Sequence, residues 1–149
     1  MNNHFRRVFA GLGCAVMLAS CAGGAPAVTA LTVRATGAEM AYQPASMTVP
    51  AGAAVELTFE NNSDFSHNFI LINGDEATLT AVDVGGDKAG ESGGYIPVNV
   101  PGTIAESTLL TAGQTGVVKF TAPAAGTYFY FCTYPSHLEA GMRGVLTVE

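Results

Sequence analysis

The residues of this chain most able to do chemistry are two histidines, a cysteine and a methionine. Cys132 ends an aromatic run, His137 follows five residues later, and Met142 follows after five more. His67 opens an apolar stretch directly after a polar turn. Thiolate, imidazole and thioether together form a soft donor set that selects copper, and two histidines and a cysteine with a weak axial methionine bind blue copper. The sequence therefore predicts one type 1 copper ion with His67, Cys132, His137 and Met142 as ligands.

Each of these residues also has an ordinary structural interpretation. A lone cysteine is usually a small buried hydrophobe, a methionine commonly fills gaps in a core, and histidines often lie at the surface. The ordered set favours the metal, because an unpaired thiol in an exported protein is prone to oxidation unless something occupies it. Cys132 is the one cysteine expected in the folded body, where no disulfide is then available.

The N-terminus is expected to be removed during export. Arg6 and Arg7 precede an apolar run over residues 8–18, which is the layout of a signal peptide over residues 1–20. A membrane-spanning helix needs about 20 apolar residues, so that alternative is weaker. The run ends in Leu-Ala-Ser-Cys, which resembles a bacterial lipobox and predicts that Cys21 carries the lipid.

The remaining chain is expected to form one domain on a short tether. Residues 21–30 are small and uncharged and predict the tether, and residues 31–149 predict the domain. Loss of the signal leaves four basic and twelve acidic residues, a net charge of −8. Such an acidic protein is not expected to bind nucleic acid, and it favours a partner with a basic face.

Short β-type runs separated by Gly, Pro and Asn predict an all-β Greek-key sandwich or barrel of about eight strands. The clearest run alternates buried-type Val55, Leu57 and Phe59 with polar neighbours. One long connection, residues 73–105, predicts a short helix capped by Asp75 and ending near Val82, before a glycine-rich stretch. The expected strands span residues 31–35, 46–49, 54–60, 68–72, 107–110, 116–122, 128–132 and 144–148.

The ligand loop carries a family resemblance. Cys132 to His137 reads Cys-Thr-Tyr-Pro-Ser-His and resembles the Cys-Thr-Phe-Pro-Gly-His of cupredoxins, and an Ala-Gly-Met-Arg-Gly sequence around Met142 resembles the C-terminus of auracyanins. Four residues separate His137 from Met142, as in auracyanins, whereas azurins have three. Over about residues 30–149 the chain is therefore similar to a cupredoxin, with auracyanins and then azurins as the expected relatives.

The resemblance implies further roles around the metal. The carbonyl of Ser66 would lie opposite Met142 as a very weak contact. Asn68 would hydrogen-bond toward Thr133 and the Cys132 sulfur, and such contacts orient ligands and tune metals. An apolar patch that includes Leu138 and Pro101 would surround the exposed edge of His137. The chain departs from the family pattern at Tyr134 and Ser136, neither of which is a ligand.

The function implied is one-electron transfer without catalysis, because no acid–base pair stands near the site and no second copper centre is indicated. The expected protein is a monomeric carrier at the extracytoplasmic face of the membrane, held by its lipid. It would shuttle electrons from a quinol-oxidising complex to a cytochrome c or a reaction centre. The alternative is a periplasmic lipoprotein that carries or stores copper.

Overall fold

Two β-sheets packed face to face form the domain, which the computed structural model describes over residues 27–37 and 40–149. The nine strands of the described residues are β1 (Val28–Thr36), β2 (Tyr42–Gln43), β3 (Ser46–Val49), β4 (Ala54–Asn62), β5 (Ile70–Ile72), β6 (Thr103–Glu106), β7 (Thr115–Thr121), β8 (Gly126–Phe131) and β9 (Arg143–Val148). The first sheet has the strand order β2-β1-β4-β7, and the second has the order β3-β9-β8-β5-β6. The all-β sandwich expected from the sequence is confirmed.

The period-2 pattern explains how the sheets close on one core. In β4 the side chains of Val55, Leu57 and Phe59 are buried, and the polar residues between them are partly exposed. Apolar residues therefore line one face of the strand, where their removal from water drives the packing of the two sheets.

The first strand runs parallel to β4 in one continuous register, from Val28 opposite Ala54 to Thr36 opposite Asn62. It begins three residues before the expected domain boundary at residue 31. Residues 28–30 of the expected tether are therefore part of the sheet.

One α-helix, α1 (Glu76–Ala89), lies in the long connection and begins as the sequence predicts, and a short 3₁₀ helix (Glu91–Gly93) follows it. The carboxylate of Asp75 accepts a hydrogen bond from the Thr78 backbone N–H at 3.0 Å, which satisfies one of the free donors at the helix start. The expected end near Val82 was wrong, because the helix continues through Gly85 and Gly86. A Cβ on Gly86 would come within 2.7 Å of the Thr133 Cβ, so the glycine permits close packing on the ligand loop.

The expected strand over residues 107–110 was also wrong. The strand at this edge is β6, four residues earlier, and Leu110 forms only an isolated bridge with His67. The regular ladder breaks at Ser107, whose hydroxyl oxygen accepts the Phe69 backbone N–H at 2.9 Å in place of a carbonyl. The strand β2 was not predicted, because two residues are too few to show a period.

Within residues 27–37 and 40–149, no helix has both the length and the apolar character needed to cross a membrane. The predicted signal peptide and Cys21 lie outside the described residues.

Candidate metal centre

Three donor atoms from two distant segments of the sequence meet at one end of the sandwich. His67 Nδ1 lies 3.1 Å from His137 Nδ1. The Cys132 Sγ lies 3.4 Å from the His137 Nδ1 and 3.9 Å from the His67 Nδ1. All three side chains are buried, and among them His137 is the most exposed at 4%. In the part of the chain that the structure describes, they form the one cluster of His, Cys or acidic residues close enough to share a metal ion.

The spacing of these atoms fits a transition metal. A point equidistant from the two nitrogens and the sulfur lies about 2 Å from each, which is the length of a metal bond to imidazole and slightly short of one to thiolate. Hydrogen bonding between two neutral imidazoles and a thiol does not require all three atoms to converge on one point. The donor set therefore fits copper in its chemistry and in its geometry.

The fourth predicted ligand, Met142, is fully buried in the same core cluster as Cys132. Its carbonyl accepts the Cys132 backbone N–H at 3.2 Å, and its own N–H donates to the His137 carbonyl at 2.9 Å. These two bonds close the loop after β8 around the three ligand positions. The four side chains are thus arranged as in a type 1 copper site.

His67 is held from the opposite side by residues after β6. Its N–H donates to the Leu110 carbonyl at 3.0 Å, and the Leu110 N–H donates back at 2.8 Å. The side chain of Asn61, at the end of β4, also donates to the Leu110 carbonyl at 2.9 Å. Both sheets therefore contribute to the position of this imidazole.

Burial sets the protonation states that a metal would meet. Loss of hydration, with a smaller contribution from His137, lowers the pKa of His67 to about 4, and loss of hydration also lowers the pKa of His137. Both imidazoles are therefore neutral at pH 7, which is the form that binds metals. Burial raises the pKa of Cys132 to about 11, despite the N–H groups of Asn68 and Tyr134 that favour the thiolate. Only a cation at the site would keep this sulfur ionised.

Asn68 connects the His67 segment to the ligand loop. Its side-chain oxygen accepts the Thr133 N–H at 2.9 Å, and its amide nitrogen donates to the Thr133 hydroxyl at 2.9 Å. The same nitrogen donates to the carbonyls of Gly94 and Tyr95, each at 3.3 Å. Its backbone N–H points to the Cys132 sulfur at 3.5 Å. The predicted Asn68–Thr133 pair is thus present, and the connection after α1 joins it.

The two family departures have different structural consequences. Tyr134 packs its ring against the imidazole of His137 at a centroid distance of 4.7 Å, and Tyr95 meets Tyr134 edge-on at 4.9 Å. Ser136 has a φ of +66°, in the left-handed region where glycine is favoured. The loop therefore carries some backbone strain beside its second histidine ligand.

The structure does not bring every predicted contact together. Ser66 is half-buried just before His67, and the contact of its carbonyl with the metal stays a prediction. Leu138 is partly buried against a second apolar cluster, which is formed by Ile70, Ile72, Leu79, Val82 and Phe131. Pro101 lines a groove beside α1. The patch around His137 that was to include both residues therefore stays a prediction.

Comparison with known proteins agrees with this geometry. The family model of copper binding proteins of the plastocyanin/azurin family matches residues 29–149. The chain is 38% identical to auracyanin-A of Chloroflexus aurantiacus over 91% of its own length and 90% of the relative's. It is also 38% identical to auracyanin-B of that organism, of which it spans about half, 53%.

Solved structures show the same relationship. The solved structure of auracyanin A, a "blue" copper protein from Chloroflexus aurantiacus, matches with a TM-score of 0.78 and 40% identity, over 83% of this chain and 100% of the other. Reduced auracyanin from Roseiflexus castenholzii matches with a TM-score of 0.77 and 36% identity, over 81% and 97%. The family consists of electron carriers rather than enzymes. The chain therefore belongs to the plastocyanin/azurin family of copper-binding proteins, the cupredoxins, and its cofactor is one type 1 copper ion.

Proposed function

We propose that this chain is a small blue-copper protein that carries single electrons between redox partners, with His67, Cys132, His137 and Met142 as its ligands. The observation that carries the proposal is the buried convergence of two imidazole nitrogens and one thiol sulfur on a common point. When bound, copper supplies a one-electron change between its two oxidation states. The similarity of this chain to auracyanin A, which is described as a "blue" copper protein, supports the same chemistry.

The chain's contribution is to hold the donors still. Backbone hydrogen bonds fix His67 to Leu110 and close the loop between Cys132 and Met142. The side chain of Asn68 ties these two segments together. Because the donors are held by the fold itself, their positions should change little when the charge of the site changes. A small structural change is what rapid electron exchange requires.

His137 is the proposed point of electron exchange. It is the most exposed of the three clustered donors, although only 4% of its surface is accessible. A partner that docks over this edge would come close to the metal without water reaching the sulfur. The neighbouring Tyr134 ring would widen the contact.

Charge favours a cationic partner. Asp83 of α1 lies close enough to Asp87 and to Glu139 of the ligand loop for their charges, after burial, to raise its pKa to about 6. Such an acidic region attracts a basic protein surface.

We propose a membrane quinol-oxidising complex as electron donor, a cytochrome c or a reaction centre as acceptor, and a monomeric carrier between them. The alternative of copper storage finds no support in the comparisons.

We also propose that the protein is exported, trimmed to Cys21 and anchored by a lipid at the extracytoplasmic face of the membrane. The support is the order of Arg6 and Arg7, an apolar run and the lipobox-like sequence that ends at Cys21. A lipid of this kind would keep the carrier near membrane redox complexes.

The first test is colour. Copper-loaded, oxidised wild type should absorb strongly in the visible range because the Cys132 thiolate donates charge to copper. Cys132→Ser should lose this absorption entirely, whereas Ser66→Ala, which retains all four side-chain ligands, should keep it. A colourless copper-loaded wild type with correct folding would refute the proposal.

The second test addresses the partner. Stopped-flow mixing with a basic c-type cytochrome should give rapid reversible electron transfer, whose rate constant falls about tenfold between low and high salt because charge attraction is screened. With the anion ferricyanide the salt dependence should reverse. A copper-storage protein would instead lose its metal to chelators faster than it exchanges electrons.

A further inference from the structure

Tyr42 carries a hydroxyl group deep in the core beside the metal centre. It belongs to β2, and only 2% of its surface is exposed. Its ring lies edge-on to those of Phe59, Phe69 and Tyr130, at centroid distances of 5.9, 6.2 and 5.4 Å. A phenylalanine ring could make the same contacts. The hydroxyl is therefore the part of this side chain that packing does not explain.

The hydroxyl donates a hydrogen bond to the backbone carbonyl of Asn68. The other polar atoms of Asn68 are already engaged: its side chain binds Thr133, and its N–H points to the Cys132 sulfur at 3.5 Å. The bond from Tyr42 thus completes a set that leaves no polar atom of Asn68 free. Burial, with the nearby Cys132 sulfur, raises the pKa of Tyr42 well above its usual value, so the phenol keeps the proton that it donates.

We propose that Tyr42 is a positioning residue for the metal centre: its hydroxyl holds the Asn68 backbone so that the Asn68 N–H stays directed at the Cys132 sulfur. This inference rests on the proposed copper function. The ring contributes to the core, and the hydroxyl contributes to the reduction potential.

The direction of the effect follows from charge. Reduction adds one negative charge to a site that already contains a thiolate, so an N–H directed at the sulfur stabilises the reduced state more than the oxidised state. Hydrogen bonds to cysteine sulfur are known to tune the potentials of blue copper sites. Loosening Asn68 weakens this stabilisation, and the potential should fall.

The chain offers a matched control for the test. Tyr130 is fully buried in the same aromatic cluster, and its hydroxyl also donates to a backbone carbonyl, that of Pro44, at 2.7 Å. Tyr42→Phe and Tyr130→Phe therefore each remove one buried hydroxyl and leave one carbonyl without a donor. Only the first removes a contact with Asn68.

The experiment measures the reduction potential, the visible charge-transfer maximum and the thermal midpoint of the copper-loaded wild type and both variants. Both variants should unfold at lower temperature than wild type. Only Tyr42→Phe should shift the charge-transfer maximum and lower the potential. A two- to tenfold change in the ratio of Cu(I) to Cu(II) affinity corresponds to about 20 to 60 mV for one electron.

The outcomes separate the two proposals. A blue wild type with Tyr42→Phe unchanged in potential and spectrum, or changed no more than Tyr130→Phe, overturns the role of Tyr42 alone. A colourless copper-loaded wild type overturns the copper function and this inference with it. If Tyr42→Phe does not fold, 3-fluorotyrosine at position 42 keeps the ring and makes the hydroxyl a stronger donor. It should raise the potential, and no change would overturn the inference.

Discussion

In the absence of a metal, burial favours the metal-binding form of the two histidines but not that of the cysteine. The fold makes His67 and His137 poor bases by removing them from water, so that they are neutral and ready to bind. The same burial makes Cys132 a poor acid, although a metal needs its thiolate. Copper binding must therefore release the thiol proton but no imidazole proton at neutral pH. In the copper-free protein, burial therefore opposes protonation of both imidazoles as the pH falls.

The lowered pKa of His67 predicts that the free energy of unfolding of the copper-free protein depends on pH. Between about pH 6.5 and 4 the unfolded chain binds a proton at His67 that the folded chain does not, so the free energy of unfolding falls as the pH falls. The loss attributable to His67 should be about 2 kcal/mol. Urea unfolding of copper-free wild type and His67→Asn over this range checks it.

The comparison of slopes isolates His67 from other titrating groups. Asp83 acts in the opposite direction, because its raised pKa of about 6 makes the folded chain the better proton acceptor as the pH falls toward 4. Its contribution is common to both proteins. Equal slopes for wild type and His67→Asn would contradict the prediction.

Among the elements, helix α1 supports the metal centre without supplying a ligand. Gly86 brings the helix backbone against Thr133 and the carbonyl of Tyr95, the two groups that also contact the Asn68 side chain. Leu79 and Val82 pack the same helix against apolar side chains of the second sheet, namely Ile70, Ile72 and Phe131. The long connection is therefore part of the site, because its position decides where Asn68 and Thr133 can lie.

Two adjacent glycines test this role. Alanine favours helix over glycine by up to about 1 kcal/mol, but at Gly86 its Cβ would meet the Tyr95 carbonyl at 2.8 Å and the Thr133 Cβ at 2.7 Å. We expect Gly86→Ala to lower the free energy of unfolding by about 1 to 3 kcal/mol and to alter the copper spectrum.

The control is Gly85→Ala, whose Cβ would lie 2.7 Å from a Val100 methyl group and 3.1 Å from the Pro97 ring, but meets neither Thr133 nor Tyr95. This variant should also lose stability, because Val100 is stiff, but it should keep the copper spectrum of wild type. Denaturant unfolding and visible spectra measure both. The prediction fails if the two variants change the spectrum equally.

At the scale of the whole molecule, the chain enters the domain far from the metal. β1 begins at Val28 beside Ala54 and ends at Thr36 beside Asn62, near the Asn61 side chain that supports the His67 segment. Nine residues at about 3.3 Å each span roughly 30 Å. A lipid on Cys21 would therefore attach the protein by the end opposite its copper, leaving His137 free to meet partners.

Anchoring is testable in cells that express the full chain. Cys21→Ser should move the protein from the membrane fraction to the soluble exported fraction, because it removes the predicted site of lipid attachment. Its visible spectrum should be unchanged, since Cys21 is not among the copper ligands. Cys14→Ser lies inside the predicted signal and should leave the distribution as in wild type. Fractionation and immunoblotting measure this, and a Cys21→Ser protein still on the membrane would refute the anchor.

The sequence alone determined what depends on residue type and short-range spacing. Soft donors at positions 67, 132, 137 and 142 indicate copper, because coordination preference belongs to the donor atoms themselves. Alternation such as that around Leu57 indicates a half-buried strand, and Asp75 indicates a helix start. Each of these signals lies within a few residues of the chain, so it can be recognised without knowing the fold.

Only the tertiary structure decided what depends on neighbours distant in sequence. The helix continues through Gly86, despite the low helix propensity of glycine, where its backbone packs so closely on Thr133 that no side chain would fit. The ladder breaks at Ser107, whose hydroxyl accepts the Phe69 N–H. The hydroxyl of Tyr42 acquires its role only when folding brings Asn68, 26 residues away, against it. Such contacts are formed by packing, and neither periodicity nor local propensity encodes them.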